Sequence, residues 1–210
     1  MSDDQTFRSV LLVLFAVTLP VAAFYRIRSQ MTRERLDRRK EGLFVLWTLR
    51  PIGIAGMIGL IVFLTDPALM RWSSMPLPVW LRWTGVGIGV AGSAFLVWTL
   101  HSIGLNLTDT VVTRKNHTLV THGPYRWIRH PFYVAVLLAI LANGLAAANW
   151  FILATGAMTF SLLKFRLEKE EALLIDRFGD EYRAYMARTN RFIPRRFTNR
   201  SALRPPSNPS

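Results

Sequence analysis

The sequence has 210 residues, of which 51% are hydrophobic, and it carries 26 lysines and arginines against 13 aspartates and glutamates. A single domain is expected at this length, and the absence of cysteine excludes disulfides, thiolate catalysis and sulfur-ligated metal sites. Because the basic residues lie between long apolar runs, membrane topology explains the positive charge, and nucleic-acid binding is rejected.

Apolar segments predict an all-α, polytopic membrane protein with about five transmembrane helices. A straight helix from Phe132 to Phe165 would reach about 51 Å, too long for a hydrocarbon core of about 30 Å. Asn143-Gly144 and Asn149 offer places to turn, so this run is predicted to form a helical hairpin. Residues 1–200 are then one membrane domain, 201–210 are a disordered tail, and the spans lie near 8–26, 43–65, 77–100, 131–147 and 149–165.

Lysine and arginine are distributed unevenly between the loops. Seven lie in residues 26–40, four in 111–129 and eleven from residue 164 onward, which together make 22 of 26. With five spans these residues share the cytoplasmic side, the amino terminus lies outside and the carboxyl terminus lies in the cytoplasm. Two Thr/Val-rich runs within residues 110–121 predict a small hairpin at the interface.

The stretch from His122 to Tyr133 is the main candidate for function. It reads His-Gly-Pro-Tyr-Arg-Trp-Ile-Arg-His-Pro-Phe-Tyr between apolar segments. His130 precedes Pro131, which predicts that the next helix begins at Pro131. Free backbone N–H groups at that helix start favour an anion. The alternative is a juxtamembrane turn whose arginines contact lipid headgroups.

A second candidate follows the last span. Residues 166–171 read Arg-Leu-Glu-Lys-Glu-Glu and are predicted to open a final amphipathic helix. Glu171 lies on the apolar stripe of that helix, where a carboxylate is costly to bury without a partner. Arg166 and Glu170 could instead form a simple i,i+4 surface pair. The stripe comprises Leu167, Leu174, Phe178, Tyr182 and Tyr185.

Together these motifs resemble the integral-membrane methyltransferases of the isoprenylcysteine carboxyl methyltransferase and phospholipid N-methyltransferase superfamily. The resemblance covers roughly Ser102 to Pro194. One departure is Ala135, where family members usually carry glycine. The resemblance rests on four features: Gly123 to Tyr133, the helical hairpin, Arg166-x-x-x-Glu170-Glu171, and Phe178 to Tyr185.

This resemblance implies an S-adenosylmethionine-dependent methyltransferase with its cofactor site on the cytoplasmic side and a lipophilic acceptor at the membrane. The expected reaction is carboxyl O-methylation, with phospholipid N-methylation and small-thiol S-methylation as alternatives. The implied cofactor-binding residues are Gly123, Tyr125, His130, Pro131, Tyr133 and Glu171, and the implied catalytic residues are Arg129, Arg166 and Glu170.

The chemical groups of S-adenosylmethionine match the side chains of several of these residues. His130 and the helix start suit the cofactor carboxylate, Glu171 suits its ammonium, and a tyrosine suits the adenosine or the sulfonium. Arg129 or Arg166 could hold a carboxylate acceptor.

Two other classes of protein stay open, an NADPH-dependent sterol-type reductase and a non-catalytic membrane module. No metal is expected, because the histidines lack ligand spacing on one helix face. They are His101, His117, His122 and His130. The identity of the acceptor and the oligomeric state are not predicted.

Overall fold

The computed structural model describes residues 3–30, 45–104 and 118–195. Within these ranges the regular elements are all helical, which confirms the all-α fold class. Most of the predicted hairpin at 110–121 and the whole predicted tail at 201–210 lie outside the described residues. The helices are α1 (Asp3–Gln30), α2 (Arg50–Thr65, entered through a π-helical turn at Val45–Leu49), α3 (Val79–Ile103), α4 (Pro131–Ala146), α5 (Trp150–Phe178) and α6 (Asp180–Arg188), with 3-10 turns at Pro67–Ser73 and Gly123–Arg126.

The chain is an integral, multi-pass membrane protein. Four stretches in the described part are long and apolar enough to cross a bilayer: 3–29, 47–65, 79–103 and 150–178. The fifth apolar helix, α4, has 16 residues and is shorter than these four. At 1.5 Å per residue it extends about 24 Å.

Small residues let the helices approach closely. A Cβ atom added at Gly85 of α3 would lie 2.7 Å from the Leu145 side chain and 2.8 Å from the Ala146 backbone nitrogen of α4. One added at Gly59 of α2 would lie 2.9 Å from the Phe151 ring of α5. The helices therefore form two closely packed pairs, α3 with α4 and α2 with α5, while α1 packs on α3.

Polar contacts tie the helices together at the end of the bundle that holds the α4–α5 turn. Arg82 of α3 is 5% exposed. It donates to the Ala146 carbonyl at 3.0 Å and to Asp4 of α1 at 2.9 Å. Arg8 of α1 donates to the Leu64 carbonyl of α2 at 2.6 Å. We call this the hairpin end, and the opposite end, which carries residues 122–133, the motif end.

The α4–α5 hairpin turns at Asn149, one of the two predicted places. Its side chain caps α5 by accepting from the Ile152 backbone at 3.1 Å and donates to Ser73 Oγ at 2.8 Å. The other predicted place, Asn143-Gly144, stays helical. There a Cβ on Gly144 would meet Leu153 at 2.8 Å, so this glycine serves packing between the two helices.

The expectation that a separate helix begins at Arg166 is wrong. Helix α5 continues through this position to Phe178, about 43 Å at 1.5 Å per residue. A change from apolar to charged residues does not break a helix, and no proline interrupts this one. The break comes at Gly179, whose φ of 52° lies in the left-handed region. Helix α6 then starts at Asp180.

Candidate active site

The loop at the motif end is shaped by a glycine and a proline. Gly123 has a φ of 58°, and a Cβ atom there would lie 2.1 Å from Ser102 Oγ of α3, so only glycine fits. Helix α4 begins at Pro131, as predicted, with His130 as its N-cap residue. The loop is therefore pressed onto the end of α3 and feeds directly into α4.

A carboxy-terminal segment pairs with this loop. We call residues 189–193, which follow α6, the C-terminal strap. The backbone N–H of Arg129 donates to the Asn190 carbonyl at 2.8 Å, and that of His130 donates to the Arg191 carbonyl at 3.1 Å. The Arg129 guanidinium also donates to the carbonyls of Met186 and Thr189. The loop thus takes its shape from residues that follow it by about 60 positions.

Glu171 sits where the loop and the strap meet. Its Oε1 accepts from Arg129 Nε at 3.1 Å and lies 3.1 Å from His130 Nε2, while its Oε2 accepts from Arg191 at 2.6 and 3.1 Å. These hydrogen bonds raise the pKa of the Arg191 guanidinium. Glu171 is 4% exposed, as its place on the apolar stripe predicts. A carboxylate offers about four acceptor positions, and here three guanidinium N–H groups and His130 Nε2 surround it.

Glu170, the adjacent residue, has different surroundings. Its Oε2 accepts from the Tyr133 hydroxyl at 2.9 Å. The same hydroxyl interacts with the Arg166 guanidinium one helical turn earlier on α5. All three side chains line a cavity, and Glu171 is not among the residues that line it.

The cavity has a volume of about 970 Å³ and extends from the motif end into the bundle. Residues of α2, α3, α4 and α5 form most of its lining, and the carboxy-terminal part of α1 and α6 add two residues each. Charged and hydroxyl groups gather at the motif end, whereas small and aliphatic side chains line the rest. The apolar part includes Met57, Leu60, Leu96, Val136, Ile140 and Leu163.

One helical stripe of α5 faces this cavity. Its members follow one another at intervals of three or four residues, as expected for one face of an α-helix. In chain order they are a threonine, a leucine, an arginine, a glutamate and a second leucine. They are Thr159, Leu163, Arg166, Glu170 and Leu174.

The sequence-predicted site residues divide into two groups. Those at the cavity are Tyr125, Arg129, His130, Tyr133, Arg166 and Glu170. Gly123, Pro131 and Glu171 support the loop instead, through its tight turn, the start of α4 and the contact with the strap. The backbone N–H groups of His130 and Tyr133 donate to protein carbonyls, which leaves little of the helix start for an anion.

Sequence reasoning missed two tyrosines and one arginine. Tyr182 and Tyr185 were interpreted as packing residues, yet both line the cavity. The Tyr185 hydroxyl donates to the Tyr125 carbonyl at 2.6 Å, whereas the Tyr182 hydroxyl is buried and has no hydrogen-bond partner within the described ranges. Arg191 lies in no recognisable motif, so its contact with Glu171 is visible only in the folded structure.

Burial determines the protonation state of the tyrosines outside the membrane helices. It raises the pKa of Tyr125, and the nearby Glu170 carboxylate raises it further. Burial likewise raises the pKa of Tyr182 and of Tyr185. These hydroxyls therefore stay protonated at neutral pH and act as hydrogen-bond donors. In residues 3–30, 45–104 and 118–195, no three His, Asp or Glu side chains group as metal ligands.

Comparison with known proteins agrees with the motifs. Residues 85–176 match the model of the isoprenylcysteine carboxyl methyltransferase (ICMT) family. The human protein-S-isoprenylcysteine O-methyltransferase is 32% identical over 126 residues, which cover 59% of this chain and 44% of the human protein. Methanethiol S-methyltransferase 1 of Bradyrhizobium diazoefficiens is 27% identical over 200 residues, covering 88% of this chain and 65% of the relative.

A solved structure is similar as well. It is that of the eukaryotic intramembrane Ras methyltransferase ICMT, with a TM-score of 0.53 and 25% sequence identity. The match covers 69% of this chain and 51% of the solved chain. The chain thus spans about half the length of the human relative and of the solved protein.

Proposed function

We propose that the chain belongs to the isoprenylcysteine carboxyl methyltransferase family and that it is an S-adenosylmethionine-dependent methyltransferase acting on a lipophilic acceptor at the cytoplasmic face of the membrane. The observation that carries this proposal is a cavity that combines a charged motif end with an apolar interior. Such a cavity suits two ligands that meet: a polar methyl donor at the motif end, and an acceptor whose apolar part lies between the membrane helices.

The side chains at the motif end fit the charges of the methyl donor. S-adenosylmethionine carries an ammonium, a carboxylate and a sulfonium. Of the two adjacent glutamates, Glu170 is the better ammonium partner, because it lines the cavity, where its Oε2 accepts from the Tyr133 hydroxyl. His130, Tyr125 and Tyr133 line the same end and offer ring faces and polar atoms to the adenosine and the sulfonium. We therefore propose Glu170 as the partner of the cofactor ammonium, in place of Glu171, which was expected from the sequence.

Glu171 and Arg129 are proposed to position these residues. Arg129 uses its guanidinium on Glu171 and on the carbonyls of Met186 and Thr189, so it is poorly placed to clamp an acceptor. Because these contacts fix the loop, they keep His130 and Tyr133 in position at the cavity.

Arg166 is the proposed contact for an acceptor carboxylate. It lines the cavity on the α5 stripe between Leu163 and Glu170, where the polar end meets the apolar interior. When bound, S-adenosylmethionine supplies an already activated methyl group, and transfer to a carboxylate requires no general base. The protein's part is then to orient the acceptor beside the donor and to exclude water.

Small-thiol S-methylation is a second candidate. The similarity to the methanethiol S-methyltransferase extends over 88% of this chain, whereas that to the human carboxyl methyltransferase covers 59%. A cavity of about 970 Å³ is larger than a one-carbon thiol needs, which supports the lipophilic acceptor as the first candidate.

Two experiments test the proposal. Titration calorimetry on the detergent-purified protein should detect binding of S-adenosylmethionine and none of NADPH; the reverse result would point to a reductase. Methyl-labelled donor should then transfer label to a prenylated cysteine with a free carboxylate. Transfer to methanethiol or to phosphatidylethanolamine instead would change the acceptor and leave the reaction class intact. Absence of S-adenosylmethionine binding would refute the proposal.

A further inference from the structure

Tyr182 on α6 carries a hydroxyl group that the fold leaves unused. The residue is 1% exposed, and its hydroxyl has no hydrogen-bond partner anywhere in the described part of the chain. A buried hydroxyl without a partner is unfavourable, because it has lost its hydrogen bonds to water and gained none in the protein. The residue nevertheless lines the cavity at the motif end, beside Arg129 and Glu170.

A neighbour on the same helix, Tyr185, has a hydroxyl that is used within the protein. Tyr185 is also buried, and its ring lies 5.9 Å from that of Tyr182. Its hydroxyl donates to the Tyr125 carbonyl at 2.6 Å and so fixes the loop. Two tyrosines that both line the cavity therefore differ in one respect: the hydroxyl of Tyr182 is buried and unpaired, and that of Tyr185 is paired within the protein.

The charges around Tyr182 indicate which ligand atom it meets. A protonated tyrosine hydroxyl offers a donor and requires an acceptor. The two nearby carboxylates, Glu170 and Glu171, accept from Tyr133 and from the cluster of cationic groups, respectively. Arg129 lies close to Tyr182, and Arg166 lines the same cavity, so a ligand anion at this position would face positive charge.

Resting on the function proposed above, we propose that the Tyr182 hydroxyl is a binding contact that donates a hydrogen bond to the carboxylate of the methyl donor. The carboxylate is the strongest acceptor that S-adenosylmethionine possesses, and it is an anion. Tyr182 thereby supplies the anion contact that the start of α4 largely lacks, since its backbone N–H groups at His130 and Tyr133 are already used.

The test uses Tyr182→Phe, which removes a single unpaired oxygen, and Tyr185→Phe as its matched control. In thermal unfolding without ligand, Tyr182→Phe should be as stable as the parent or more stable, because the uncompensated hydroxyl is gone. Tyr185→Phe should unfold at a lower temperature, because it loses the contact with the Tyr125 carbonyl. A marked loss of stability in Tyr182→Phe would mean that its hydroxyl has a partner within the protein, and would overturn the inference.

Calorimetry with two ligands then identifies the atom contacted. S-adenosylmethionine should bind Tyr182→Phe about 10- to 100-fold more weakly than it binds the parent. Decarboxylated S-adenosylmethionine, which keeps the ammonium and the sulfonium, should bind both proteins within about 2-fold. An equal loss for both ligands would overturn the assignment to the carboxylate, and no loss for either would overturn the contact itself. If the parent fails to bind S-adenosylmethionine, the proposed function falls and this inference falls with it; if only the variant result fails, the proposed function stands.

Discussion

Two adjacent carboxylates on α5 have different tasks because neighbouring positions on a helix point about 100° apart. Glu170 faces the cavity with Arg166 and Leu163, whereas Glu171 faces the loop and the strap with Leu167. The buried one is surrounded by protein donors, and the one at the cavity retains acceptor capacity. Substituting each in turn therefore separates stability from binding.

Glu171→Gln should lower the free energy of unfolding by about 2–4 kcal/mol. The change removes a negative charge from between Arg129, Arg191 and His130, which leaves the guanidinium groups less well compensated. Thermal unfolding in detergent measures the effect, and Glu181→Gln on the exposed face of α6 is the control. A variant as stable as the parent would show that the cluster contributes nothing to the fold.

Glu170→Gln should behave in the opposite way. The amide oxygen can still accept from the Tyr133 hydroxyl, so stability should stay within about 0.5 kcal/mol of the parent. Binding of S-adenosylmethionine should weaken about 10- to 150-fold, as expected when a charged hydrogen bond is lost. Calorimetry checks this, and unchanged affinity would remove Glu170 from the site.

At the scale of elements, the contact between α3 and α4 determines where the loop lies. Gly85 and Gly87 stand on the same helix, but only Gly85 touches α4, and a Cβ atom added at Gly87 meets nothing within 4 Å. Since α4 begins at the motif loop, a shift of this helix would be passed on to His130 and Tyr133.

Gly85→Ala should destabilise the protein by about 1–3 kcal/mol. Its Cβ would lie 2.8 Å from the Ala146 backbone nitrogen, which cannot move aside as a flexible side chain could. Gly87→Ala should be neutral or stabilise by up to about 1 kcal/mol through helix propensity. Thermal unfolding of the pair measures the difference. Equal effects in the two variants would contradict the tight α3–α4 contact.

The same elements show how far the sequence could predict this fold. The start of α4 was predictable because the proline at 131 fixes a helix start locally, and the turn at Asn149 because asparagine caps helices. The continuation of α5 through Arg166 was missed, since a boundary in polarity marks the membrane surface and leaves the backbone helical.

Roles within the candidate site were harder to predict than its position. Glu171 was expected to meet the cofactor ammonium, but its carboxylate accepts hydrogen bonds from the loop and the strap. Nothing local distinguishes the face that carries Glu171 from the cavity face one residue away. Arg191, which decides the matter, comes 20 positions after Glu171 and has no motif around it.

At the scale of the whole molecule, positive charge separates along the bundle. Arg8 and Arg82 lie at the hairpin end, where they bond to the Leu64 carbonyl, the Ala146 carbonyl and Asp4. The motif end carries Arg126, Arg129, Arg166 and the arginines of α6 and the strap. The excess of basic residues in cytoplasmic loops then supports a cytoplasmic position for the motif end.

Reporter tags at the two termini should therefore report opposite sides of the membrane, with the carboxyl terminus in the cytoplasm. This outcome requires α4 to cross the bilayer although it has only 16 residues. The check is protease or fluorescence accessibility of each tag in sealed vesicles, with a tag of known side as the control. Both termini on the cytoplasmic side would mean that four helices span and that α4 does not.

The pairing of the motif loop with the strap also bears on how the protein is made. Arg129 leaves the ribosome 60 residues before Thr189, one of the carbonyls it bonds to. At roughly 5–20 residues per second, that interval lasts about 3–12 seconds. During it the membrane helices up to α4 can already enter the bilayer, while the loop lacks its Glu171 and strap contacts. The proposed site is thus completed by nearly the last residues of the described chain, so a nascent protein has its membrane helices before the loop of that site has its full set of contacts.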